Sequence, residues 1–109
     1  MRPIIKEYTN VNELEVDIKT LKDQGINVQN IYIFIKDSEY IINIINNTRA
    51  TNISYYPINN ETFEKKDTMI KEKFKTLDIP ENEIDMYVKH ILNDKIFLIV
   101  NDSRIKGVL

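Results

Sequence analysis

Six small polar residues carry most of the chemistry this chain can assemble: Thr9 and Asn10, Asp37 and Ser38, and Asn101 and Asp102. Each pair follows a run with strand character. If those runs are parallel strands, their C-terminal ends share one edge of a sheet, the edge at which doubly wound sheets hold ligands. Two carboxylates with hydroxyl and amide groups beside two helix N-termini suit a cation or a small polar ligand. The plainer reading is that Asn10 and Asp37 or Ser38 cap helices and Asp102 ends a strand. The candidate ligand edge is therefore Thr9, Asn10, Asp37, Ser38 and Asp102.

The remaining reactive side chains form no catalytic pattern. His90 is the sole histidine, and a lone histidine without a placed nucleophile or partner carboxylate is not a catalytic signal. Lys65, Lys66, Lys71, Lys73 and Lys75 form a basic stretch, but Glu61, Glu64, Asp67 and Glu72 interleave with it, as on a solvated helix face. Gly25 and Gly107 are the only glycines, too few for a phosphate-cradling loop, and no nucleophile elbow is present. The absence of cysteine excludes disulfides and thiolate metal sites. No catalytic, cofactor-binding or metal-ligating residue is assigned, and no cofactor is expected. A net charge of −2, with both signs interspersed, argues against nucleic acid or an anionic membrane as partner. No apolar run approaches the roughly 20 residues that span a bilayer, and no signal-peptide core is seen, so a cytoplasmic protein is expected.

The elements that position these groups follow from periodicity. Ile79-Pro80 leads into a helix with Ile84, Tyr87, Val88 and Ile91 on one face, stopped by Asn93-Asp94. Ile96-Phe97-Leu98-Ile99-Val100 follows as a strand buried on both faces, which requires helices over both sides of the sheet. Earlier, Ile4 to Tyr8 reads as a short strand whose second half alternates charge and aromatic. Asn10 caps a helix with Val11, Leu14, Ile18 and Leu21 inward, and Gly25 supplies its left-handed exit. Ile31 to Ile35 is a second buried strand. The helix after it, to about Asn47, has Tyr40, Ile41, Ile44 and Ile45 inward, while Ile42 interrupts the stripe and offers a contact surface. Ile53 to Pro57 suits only a short edge strand, because Pro57 has no amide to donate. Thr62 or Asn60 opens a third helix with Phe63, Ile70, Phe74 and Leu77 inward.

Several strings resemble the YflT-like domain of heat-induced general stress proteins of Gram-positive bacteria. They are Lys6-Glu7-Tyr8-Thr9-Asn10, the helix end at Gly25, Ile31-Tyr32-Ile33, Asn47-Thr48-Arg49-Ala50, Lys65-Lys66-Asp67, the helix opening Ile79-Pro80-Glu81 with Tyr87, and Lys95-Ile96-Phe97-Leu98-Ile99-Val100. The resemblance covers residues 1 to 102 and leaves 103–109 as a C-terminal tail. It implies a small cytoplasmic stress protein with no established catalytic activity and no catalytic residues to carry over. Two positions depart from the family: glycine is usual before the last strand and near Asp67, where this chain has Asn93-Asp94-Lys95 and Lys66-Asp67-Thr68.

The expected fold is a single α/β domain of three main strands, largely parallel, under about four helices in the order β-α-β-α-α-α-β. A ferredoxin-like α+β sheet with a short antiparallel strand near 53–56 is the alternative. The expected function is a non-enzymatic general stress protein acting through protein contacts, as a homodimer or with another protein, by way of Ile42, Tyr55 and Tyr56. A small-molecule or metal sensor using the ligand edge is the alternative.

Overall fold

A computed structural model describes residues 3–58 and 71–102. Its strands are β1 (Ile4–Tyr8), β2 (Ile31–Ile35), β3 (Ser54–Pro57) and β4 (Ile96–Val100). Its helices are α1 (Val11–Asp23), α2 (Glu39–Thr48), the helical residues 71–76, termed α3, and α4 (Glu81–Leu92). The start of the expected third helix, with Phe63, Lys65 and Lys66, lies outside the described residues, as do Asp67 and the tail 103–109.

The sheet has the order β1-β4-β2-β3, with β4 antiparallel to both β1 and β2 and with β3 parallel to β2. This corrects the expectation of three largely parallel strands. β1 and β2 do run in the same direction, but the last strand lies between them and runs the opposite way. It also corrects the ferredoxin-like alternative, because the short strand near 53–56 is parallel to its neighbour. The physical reason is one of parity. Two consecutive helices separate β3 from β4, so the chain makes one more traverse than a single crossover needs and enters β4 from the opposite end of the sheet. Pro57 sits on the β3 edge, where a missing amide costs no ladder bond.

Both faces of the sheet are buried, as the unbroken apolar runs require. On one face, Ile31, Ile33, Ile35, Ile96, Leu98 and Val100 pack with Leu14, Ile18 and Leu21 of α1 and Ile44 of α2. On the other, Phe34, Phe97 and Ile99 pack with Phe74 of α3 and Ile84, Val88 and Ile91 of α4. The alternation of side chains along β2 and β4 sends odd and even residues to different layers. An aromatic chain crosses the second layer from Tyr56 through Phe34, Phe74, Tyr87 and Phe97 to His90, with ring centroids 4.4 to 6.4 Å apart.

Helix ends follow local chemistry. The Asn10 side chain accepts from the Asn12 amide at 2.7 Å and caps α1. Gly25, at φ 81°, and Ile26 close α1 with paired bonds back to Lys22 and Leu21, the Schellman arrangement. The same arrangement closes α3 through Asp78 and Ile79, and α4 through Asp94 and Lys95, with φ of 63° and 68° at the two aspartates. Asp94 thus holds a left-handed conformation that favours glycine, and it does so because Asp tolerates that region better than most side chains. Arg49 exits α2 in the same region, at φ 58°.

The segment Asn47-Thr48-Arg49-Ala50 is a structural corner. Asn47 donates to Glu15 at 3.2 Å, Thr48 donates to the Ile44 carbonyl at 2.6 Å, and the Ala50 carbonyl accepts from the Tyr55 hydroxyl at 3.1 Å. Lys22 donates to the Thr48 carbonyl at 2.9 Å and so satisfies the end of α2 from α1. These bonds give the string Asn47-Thr48-Arg49-Ala50 a structural role.

Candidate functional site

The reversal of β4 decides what the predicted ligand edge contains. Thr9 and Asp37 do meet, at the C-terminal ends of β1 and β2, in a cleft of about 320 Å³ lined also by Val11, Lys36, Tyr40, Asp94 and Lys95. Ser38 joins Lys36, Asp37 and Asp94 in an adjoining hollow. Asn10 is occupied as the cap of α1, and Asp37 caps α2 by accepting from the Glu39 amide at 3.0 Å. Asp102 stands at the other end of the sheet, buried, where it accepts from the Asn30 side chain at 3.3 Å. Asp94 and Lys95 take its place because β4 begins, rather than ends, beside Thr9 and Asp37. Lys36 lies 3.7 Å from Asp94. Among the described residues, no group of three or more His, Cys, Asp or Glu is placed to hold a metal ion.

Of the predicted interface residues, Ile42 is 66% exposed on α2. Tyr55 and Tyr56 are half-buried and engaged inside the fold. Tyr55 packs against the α1/α2 layer and donates to Ala50, while Tyr56 stacks on Phe34 and, with Tyr32, lies under the Lys73 ammonium. Desolvation pushes the Tyr55 hydroxyl up to about 12. Tyr40, expected inward, is exposed at the rim of the cleft, in the first turn of α2.

A larger concavity lies elsewhere, between the edge strand β1 and α4. This groove of about 590 Å³ is lined by Pro3, Ile4, Ile5, Met86, Tyr87 and Phe97, with Glu7 and His90 as its polar members. His90 Nδ1 lies 2.7 Å from Glu7 Oε1 and ties α4 to β1, while the imidazole ring lies along Phe97. On the opposite face of β1, Lys6 pairs with Asp17 of α1 at 2.7 Å, and the same carboxylate accepts from the Tyr8 hydroxyl. Burial, and then the hydrogen bond to Asp17, hold the Tyr8 hydroxyl well above its ordinary range. β1 is thus pinned to both helix layers by its own charged residues. Its outer backbone edge has no neighbouring strand among the described residues.

The groove was not evident from sequence because its polar pair is 83 residues apart. The available signal was the alternation of charge and apolar residues in Ile5-Lys6-Glu7-Tyr8, which marks a strand at the margin of a sheet.

Among the described residues, no helix is long and apolar enough to cross a membrane. Comparison with known proteins places these features in context. The chain matches the model described as the heat-induced stress protein YflT domain over residues 3–94. It is similar to general stress protein 17M of Bacillus subtilis (strain 168), with 27% identity over 109 residues that cover 94% of each chain. No solved structure matches it.

Proposed function

Because the chain belongs to the YflT family of heat-induced stress proteins, we propose that it serves the general stress response in the cytoplasm through protein contacts rather than catalysis. The observation that supports this reading is the β1 flank. A strand edge with no neighbouring strand among the described residues lies beside an apolar groove in which Glu7 and His90 already bond to each other. Edge strands and apolar grooves are two surfaces that proteins use to bind one another. The partner is protein rather than nucleic acid or lipid, since the charges of this flank are mixed in sign.

The test is survival of heat stress in cells lacking the protein and supplied with variants. Met86→Lys, combined with Ile4→Lys, puts charge on two exposed positions of the groove. The expected result is loss of protection with an unchanged melting temperature in vitro. Full protection by this double variant refutes the reading.

A second reading rests on the cleft at Thr9 and Asp37, whose two lysines and two aspartates suit a small zwitterionic or polar ligand. A metabolite screen by thermal shift tests it, since a ligand of the folded state must stabilise it. A shift that survives Asp37→Ala removes the cleft from consideration.

A further inference from the structure

Among the described residues, the exposed large apolar side chains are Ile4, Val16, Tyr40, Ile42 and Met86. Three of the five surround β1. Ile4 (39% exposed) lies on the strand, Val16 (61%) lines the hollow between α1 and β1, and Met86 (46%) lines the groove between α4 and β1. One exposed apolar side chain thus stands on each of the three layers that meet at this flank. A single added peptide strand pairs with the sheet alone and leaves the helix layers, about 10 Å to either side, uncovered. A partner that covers Val16, Ile4 and Met86 together must itself be layered.

Charge points to the same partner. The two charged residues of β1 are satisfied within the protomer, Lys6 by Asp17 and Glu7 by His90. Glu13, the remaining charge of the hollow, lies in the first turn of α1, where the helix dipole favours it. A flank closed in this way meets an identical flank without needing opposite charge from it. The opposite edge of the sheet is guarded by Pro57.

We infer that β1 pairs with β1 of a second copy in antiparallel fashion about a two-fold axis, giving one continuous eight-stranded sheet; this rests on the protein-contact reading above. An axis normal to the sheet keeps each helix layer beside its own counterpart. Charge also selects the register. Centring on Lys6 or Glu7 sets like charges directly across from each other, which is unfavourable. Centring on Ile5 places Ile5 opposite Ile5 and sets Lys6 and Glu7 opposite Ile4 and Pro3 of the second copy.

Light scattering after size exclusion, on the full chain, tests this. The expected mass is twice that of one chain. Met86→Lys and Val16→Lys, both at exposed positions, each yield a monomer with an unchanged circular dichroism spectrum, and Ile42→Lys stays dimeric. A wild-type monomer, or a dimer split by Ile42→Lys and not by the other two, overturns the pairing. Heat survival separates the two ideas. A monomer whose protection is lost in the Met86→Lys, Ile4→Lys variant sinks self-pairing alone, whereas one whose protection is intact sinks the protein-contact reading as well.

Discussion

Two tyrosine hydroxyls make the stability of this fold sensitive to alkali in a calculable way. Tyr8 is buried with its hydroxyl donating to Asp17, and Tyr55 is half-buried with its hydroxyl donating to Ala50. Both hold their protons above the ordinary value of 10.0, Tyr55 to about 12 and Tyr8 beyond it. The unfolded chain releases these protons from about pH 10 upward and the native state does not. The unfolded state therefore binds fewer protons, and stability falls as pH rises from 10 toward the folded values. Each such group contributes a slope of about 1.4 kcal/mol per pH unit. At pH 11 the pair has cost about 2–3 kcal/mol, with Tyr55 at the lower end because it is partly exposed. That loss lowers the melting temperature by about 10–20 °C for a domain of this size. Urea unfolding followed by far-ultraviolet circular dichroism, from pH 8 to 11, measures it. Comparison with Tyr8→Phe removes the lysine titrations common to both proteins. At pH 8 this variant is less stable by about 1.5–3 kcal/mol, the cost of a hydrogen bond to a charged acceptor. By pH 11 the gap narrows by about 1.4 kcal/mol. A gap that stays constant from pH 9 to 11 refutes the assignment.

Asp94→Gly relieves a non-glycine residue at φ 68°, so it stabilises by about 0.5–1 kcal/mol in the same urea assay. Lys22→Met removes the ammonium that satisfies the end of α2, and it costs about 1 kcal/mol with a local increase in amide exchange at Thr48 to Ala50. Phe74→Ala opens the middle of the aromatic chain and costs about 3–5 kcal/mol by thermal or urea melting.

Local structure was largely legible in the sequence. The cap at Asn10, the exit at Gly25 with Ile26 folding back, and the two largely buried strands all follow from residues within a few positions of one another. Strand order was not, because a five-residue apolar strand such as Ile96–Val100 satisfies a central position in either direction. The misplacement of Asp102 follows from that one ambiguity: reversing β4 moves its C-terminal residue to the far end of the sheet and brings Asp94 and Lys95 to Thr9. Periodicity alone points Tyr40 inward, whereas the first turn of α2 overhangs the core at the sheet margin and leaves it exposed. The Glu7 and His90 pair depends on α4 crossing beside β1, and no local pattern specifies that crossing.

The central placement of β4 makes the completion of the sheet a late event in the life of the chain. β1 and β2 emerge first and run in the same direction, yet they cannot bond to each other, because the gap between them belongs to residues 96–100. Until those residues are synthesised, two inner strand edges stand open and the layer under α4 has no Phe97 or Ile99 to pack on. A chain interrupted before that point exposes adhesive edges and is a substrate for chaperones and proteases. Folding of the whole sheet therefore waits on residues 96–100, the strand that both β1 and β2 need as a partner.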